Sequence, residues 1–98
     1  MSNGNTLSPQ IKKITDGMWV QTIRPFRYKG HWFRNQRKMR ILDTLGGLCT
    51  VAVQRPLRND QGYIDKTLTF PSQGWKYCLL MLPEDILANC KELPQDAP

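Results

Sequence analysis

Two adjacent glycines, Gly46 and Gly47, separate apolar segments at 38–45 and 48–54. A two-residue loop that permits positive φ at both central positions is the strongest short-range signal for a β-hairpin, because its twist matches that of the flanking strands. A tight turn here pairs Leu45 with Leu48, Leu42 with Val51 and Ile41 with Ala52. Met39, Ile41, Leu45, Leu48 and Ala52 then share one face, and Leu42, Cys49, Val51 and Val53 the other. Both faces are apolar in part, so the hairpin is expected to lie centrally, covered on both sides.

Further strands follow from period-two patterning with β-branched and aromatic residues. Residues 18–24 form one, with Trp19, Gln21 and Ile23 on a common face, and Pro25 ends it or confines it to an edge. Residues 63–70 alternate so that Ile64, Leu68 and Phe70 point one way. Residues 75–82 place Trp75, Tyr77, Leu79 and Met81 together. Turn chemistry separates these segments at Asp16-Gly17, at Asn59, Asp60 and Gly62, and at 71–74. Pro83, followed by Glu84 and Asp85, fits the first turn of a short helix ending near Asn89 and Cys90. Ser8-Pro9 fits another brief helical start reaching Ile14. Residues 1–7 read as a disordered head, 8–91 as a single domain and 92–98 as a loose tail. The expected core includes Trp19, Ile41, Val51, Leu68, Trp75 and Leu80.

The fold class is therefore all-β. The element order over residues 17–90, with its tight Gly-Gly hairpin and a last strand running into Leu-Pro-Glu-Asp-Ile-Leu, resembles a small SH3-like barrel. That resemblance implies a five-stranded barrel or sandwich. The basic segment 24–40 then takes the place of the long loop that such barrels often use for binding.

Charge singles out the same segment. The net charge is +6, and residues 24–40 hold Arg24, Arg27, Lys29, Arg34, Arg37, Lys38 and Arg40 with no acid. The other seven Lys and Arg face all eight Asp and Glu, leaving the rest of the chain at −1. Phe26, Tyr28, Trp32, Phe33 and the only histidine, His31, are interleaved with these cations, and Gly30 allows a turn at the tip of an extended hairpin arm. Cations alternating with flat rings suit a polyanion that also offers stackable faces, which describes DNA or RNA. The candidate nucleic-acid-binding residues are Arg24, Arg27, Tyr28, Lys29, His31, Trp32, Phe33, Arg34, Arg37, Lys38 and Arg40. The competing expectation is a protein-interaction module, serving as adaptor, inhibitor or small subunit, that docks an acidic partner through the same arm. Trp, Tyr and Arg are also the usual anchors of protein interfaces.

Other chemistry is sparse. Cys49, Cys78 and Cys90 are odd in number and contain no Cys-x-x-Cys pair. Neither a structural zinc site nor a disulfide framework is expected, but three reduced thiols in a cytoplasmic protein. No apolar run approaches the roughly 20 residues needed to span a bilayer. Phosphate-cradling glycine loops, nucleophile elbows and His-Glu-x-x-His are lacking, and the acids sit mostly at turns. The chain reads as a non-enzyme without cofactor or metal.

Overall fold

A computed structural model describes Ile11 and residues 13–94. Nine strands and one helix follow in order: β1 (Trp19–Thr22), β2 (Phe26–Tyr28), β3 (His31–Phe33), β4 (Lys38–Asp43), β5 (Cys49–Val53), β6 (Arg58–Asn59), β7 (Phe70–Ser72), β8 (Trp75–Met81), α1 (Pro83–Asn89) and β9 (Cys90–Glu92). They form a six-stranded sheet, β7-β8-β5-β4-β1-β9, and a three-stranded sheet, β2-β3-β6. All pairings are antiparallel. The fold is mainly β, as expected, but the described residues form nine strands where five were expected. The large sheet does not close into a barrel, because β7 and β9 remain its two edges.

The central hairpin forms where Gly46 and Gly47 stand, with φ of 65° and 79°. Its turn is the two-residue one expected, with the Leu48 N–H donating to the Leu45 carbonyl at 3.2 Å across the two glycines. Asp43 still faces Thr50, as that turn gives, but a register shift between Ile41 and Asp43 then sets Ile41 opposite Val51 and Met39 opposite Val53. This corrects the expected pairing by one residue, and such a slip exchanges faces. Cys49, Val51 and Val53 join Met39 and Ile41 on the inner side, while Leu45 is left in solvent. All five residues of β5 are buried, so both sides of the hairpin are covered there.

One core serves both sheets. Val20, Met39, Ile41, Val51, Val53, Leu79 and Met81 come from the large sheet, and Tyr28 and Phe33 from the small one. Leu57 joins from a loop and Ile86 from α1.

Trp19 and Trp75, expected on the core face, lie on the opposite face of the large sheet. In β1 the buried residues are Val20 and Thr22, so Trp19 and Ile23 point outward. In β8 a bulge is responsible: Phe70 pairs with Cys78 but Ser72 with Trp75, which carries Trp75 over to the face of Cys78. The two indoles meet edge-on, centroids 6.0 Å apart at 69°. Arg40 lies over Trp19, 5.4 Å from the ring centroid. Leu80 is on this outer side and 40 % exposed, which corrects its expected place in the core, whereas Leu68 packs against the core only in part.

The expected strand at 63–70 is also corrected. Ile64 makes an isolated bridge to Arg58, and only Phe70 enters a strand. Between them Asp65 Oδ1 accepts from the Thr67 N–H at 2.8 Å and the Thr67 hydroxyl at 2.5 Å. That local turn competes with a sheet ladder. Helix α1 starts at Pro83, with Glu84 and Asp85 in its first turn, and returns the chain to β1 through β9. The Leu93 N–H donates to the Trp19 carbonyl at 2.9 Å, so the tail is bonded at least this far. The head at 1–7, the start at Ser8-Pro9 and the tail beyond Pro94 lie outside the described residues, while Ile11, Lys13 and Ile14, where that helix was to continue, are not helical.

Candidate nucleic-acid interface

The segment 24–40 does not stand free as an arm. Lys29 and Gly30, at φ 52° and 80°, form a two-residue turn that folds β2 onto β3. Chain 58–59 then pairs with the other side of β3. Arg27 faces Trp32 across one ladder, and Trp32 faces Arg58 across the next. Strand alternation puts this Arg27–Trp32–Arg58 row outside and Phe26, Tyr28, His31 and Phe33 inside. Phe26 and Phe33 stack at 4.8 Å, with planes 8° apart.

His31 is buried and bonded at both ring nitrogens, Nδ1 lying 2.8 Å from the Lys29 carbonyl and Nε2 2.7 Å from Asp65 Oδ2. Because Thr67 donates from its hydroxyl and His31 bonds the other oxygen, the Asp65 carboxyl is held down at about 2. His31 and Asp65 thus tie loop 60–69 to the hairpin.

Past β3 the chain turns at Asn35 and Gln36 (φ 63°). Thr22, buried in β1, gathers the base of this turn. Its hydroxyl donates to the Arg34 carbonyl at 2.5 Å and accepts from the Arg37 N–H at 2.7 Å. Its carbonyl accepts from the Gln36 N–H at 2.9 Å, and its own N–H donates to the Arg37 carbonyl at 3.0 Å. Arg37 is thereby laid against the 54–56 chain, where Nη2 donates to the Arg55 carbonyl at 2.6 Å. Burial, then the charges of Arg55 and Arg34, lower the pKa of its guanidinium.

Two depressions meet at these arginines. The first, about 350 Å³, opens beside Trp32 and is walled by Arg34, Arg37, Arg55, Arg58, Pro56 and Ile64, with the Asn59, Asp60 and Gly62 turn at its rim. The second, about 400 Å³, runs on along 34–38, Gln54 and Arg55. Arg34, Arg37 and Arg55 line both, so the two form one groove. Asp60 is the single carboxylate among the lining residues, and it is ion-paired with Arg27. Among the described residues Arg34, Arg37, Arg55 and Arg58 form no ion pair. Trp32 is 47 % exposed, with the Arg27 guanidinium 5.7 Å from its ring centroid.

Of the eleven residues singled out from the sequence, Trp32, Arg34, Arg37 and Lys38 line the groove, and Arg27 flanks it. Lys29 caps the hairpin tip, its ammonium 5.5 Å from the Tyr28 ring centroid. Arg24 is exposed in the β1–β2 connection. Arg40 belongs to the large sheet, over Trp19. Tyr28, His31 and Phe33 face the core, where they hold the hairpin and offer no surface. Arg55 and Arg58 were missed, since 55–62 reads as an ordinary polar loop. Two arginines flanking Pro56 and Leu57 were the only signal.

Compared with known protein families, curated proteins and solved structures, the chain matches none. Among the described residues no group of three His, Cys, Asp or Glu could hold a metal ion, and no helix is long and apolar enough to cross a membrane.

Proposed function

We propose that this protein binds nucleic acid along the groove between the β3–β4 connection and the 54–58 chain. The observation that carries the reading is the convergence of Arg34, Arg37, Arg55 and Arg58 on one groove without an acid partner. Four guanidiniums held together repel one another, and at Arg37 burial, then the charges of Arg55 and Arg34, lower the pKa. A chain of phosphates relieves it by accepting from several forks at once. Lys38 extends the cationic track.

A protein partner is the second reading. It draws on Tyr63 and Ile64, 71 % and 46 % exposed beside the arginines, as apolar anchors. Salt dependence separates the two. Four or five phosphate contacts give a log–log slope of roughly −3 to −5 for binding generic DNA or RNA, and each Arg→Gln change in the groove flattens it by nearly one. Absence of binding to any nucleic acid at micromolar protein sinks the first reading and leaves acidic-protein docking.

A further inference from the structure

We propose that the groove takes a single strand, with one unpaired base stacked on Trp32 and the flanking phosphates on Arg34, Arg37 and Arg55. This rests on the nucleic-acid reading above and narrows it to a substrate class.

Three observations carry it. First, the depression beside Trp32 is amphiphilic. Trp32, Pro56 and Ile64 supply apolar surface while Arg34, Arg37 and Arg55 supply donors. A nucleotide has the same division, an apolar ring face joined to an anion. Second, the size is right for one such unit. At about 350 Å³ the depression is at the small end of ligand sites, which run from roughly 300 to 1,000 Å³. A paired helix cannot enter it, and within a duplex the faces of the bases are already covered by their neighbours. Third, the second depression continues from the same three arginines, so a chain whose base sits against Trp32 has a cationic path onward past Lys38. Arg27 and Arg58 bracket Trp32 across the sheet. Arg27 is bound to Asp60, and Arg58 Nη1 donates to the Gly62 carbonyl at 2.8 Å. Both are held by the 58–62 turn, Arg27 over one face of the ring, and the base stacks on the other.

The test uses the full chain at about 0.1 M salt, where exposed charges still act over roughly 10 Å. Anisotropy titrations compare a labelled oligothymidylate of about 12 nucleotides, within the usual range for single-strand binders, with its duplex and with an abasic strand of equal length. The single strand should bind at least tenfold more tightly than the duplex. Trp32→Ala should weaken the single strand by a factor of about 5 to 150, the range for one stacked base, and Trp32→Phe should recover most of that. The abasic strand should bind both wild type and Trp32→Ala equally weakly. Duplex affinity equal to that of the single strand overturns the proposal and leaves the phosphate groove standing. So does an oligothymidylate affinity that does not change on removal of its bases, a comparison that needs no variant to fold. Failure of all three ligands to bind removes the nucleic-acid reading itself.

Discussion

The centre of the large sheet and the three-stranded sheet both alternate, yet they end with opposite surfaces. In β5 every side chain is buried, Cys49 to Val53, because the core lies on one side and Trp19 and Trp75 share the other with Ala52 and Cys78. In β3 the pattern is buried, exposed, buried, so Trp32 alone is turned to solvent between His31 and Phe33. A strand covered on both sides has no room for unpaired charge, since desolvating a cation without a partner is costly. Arg40 confirms the rule from within the large sheet, where its guanidinium lies on the Trp19 ring. The groove arginines are instead grouped where only one side of a small sheet is used for packing.

The severest way to break this comparison is to attack what the sheets share. Phe33 is fully buried and belongs to the common core. Phe33→Ala should lower stability by about 3–5 kcal/mol in denaturant unfolding, with a single transition. A separate early transition would show that the small sheet folds as its own unit. Next come two neighbours in β8. Leu79→Ala should cost about 2–5 kcal/mol, and Leu80→Ala markedly less, since Leu79 is on the core side and Leu80 is exposed. Equal costs would mean the outer face is as tightly packed as the inner.

The hairpin turn gives a smaller effect. Valine at Gly46 or Gly47 must adopt positive φ and should destabilise by at least about 1 kcal/mol. A neutral result for both in thermal melts would place the turn elsewhere. Acid titration probes the link between loop and hairpin. Asp65 is more acidic folded than unfolded, from 3.8 down to about 2. Its contribution is therefore complete above about pH 4 and is lost as pH falls toward 2. The stability difference between wild type and Asp65→Asn should shrink over that window, and a difference independent of pH would contradict the pairing with Thr67 and His31. Smallest of all should be Arg55→Gln. It removes a repelling cation from an exposed site, so stability should change by no more than about 0.5 kcal/mol while nucleic-acid affinity falls. A large loss of stability would make Arg55 a structural residue.

Features written in neighbouring residues were legible from the sequence. The Gly46-Gly47 turn, the Gly30 tip, the Pro83 helix start and the final strand each depend on local conformational preference, and each is present. Features that depend on register were not. One bulged residue in β4, between Ile41 and Asp43, moved Met39 and Ile41 onto the face of Val51 and Val53, and one bulge in β8 moved Trp75 from the expected core to the outer face. The apolar alternation of 63–70 gave way to a turn in which the Asp65 carboxylate accepts from both the N–H and the hydroxyl of Thr67. In the proposed site, charge density drew attention to 24–40, but only the pairing of β3 with β6 brings Arg58 beside Trp32. Arg55 joins through the contact of its carbonyl with Arg37. Those contacts join residues 26 and 18 positions apart, beyond the reach of any periodicity.

Thr22 has a consequence for timing. With four hydrogen bonds to Arg34, Gln36 and Arg37, it orders the floor of the groove as soon as β1 is in place. The conformational freedom of that segment is surrendered during folding, not on encounter with a ligand, so association has less disorder to overcome. Thr22→Val keeps the two backbone bonds and removes the two made by the hydroxyl, so the loss would surface as a slower approach to the bound state, with the Arg37 amide exchanging with solvent in the free protein and becoming protected only once a ligand arrives.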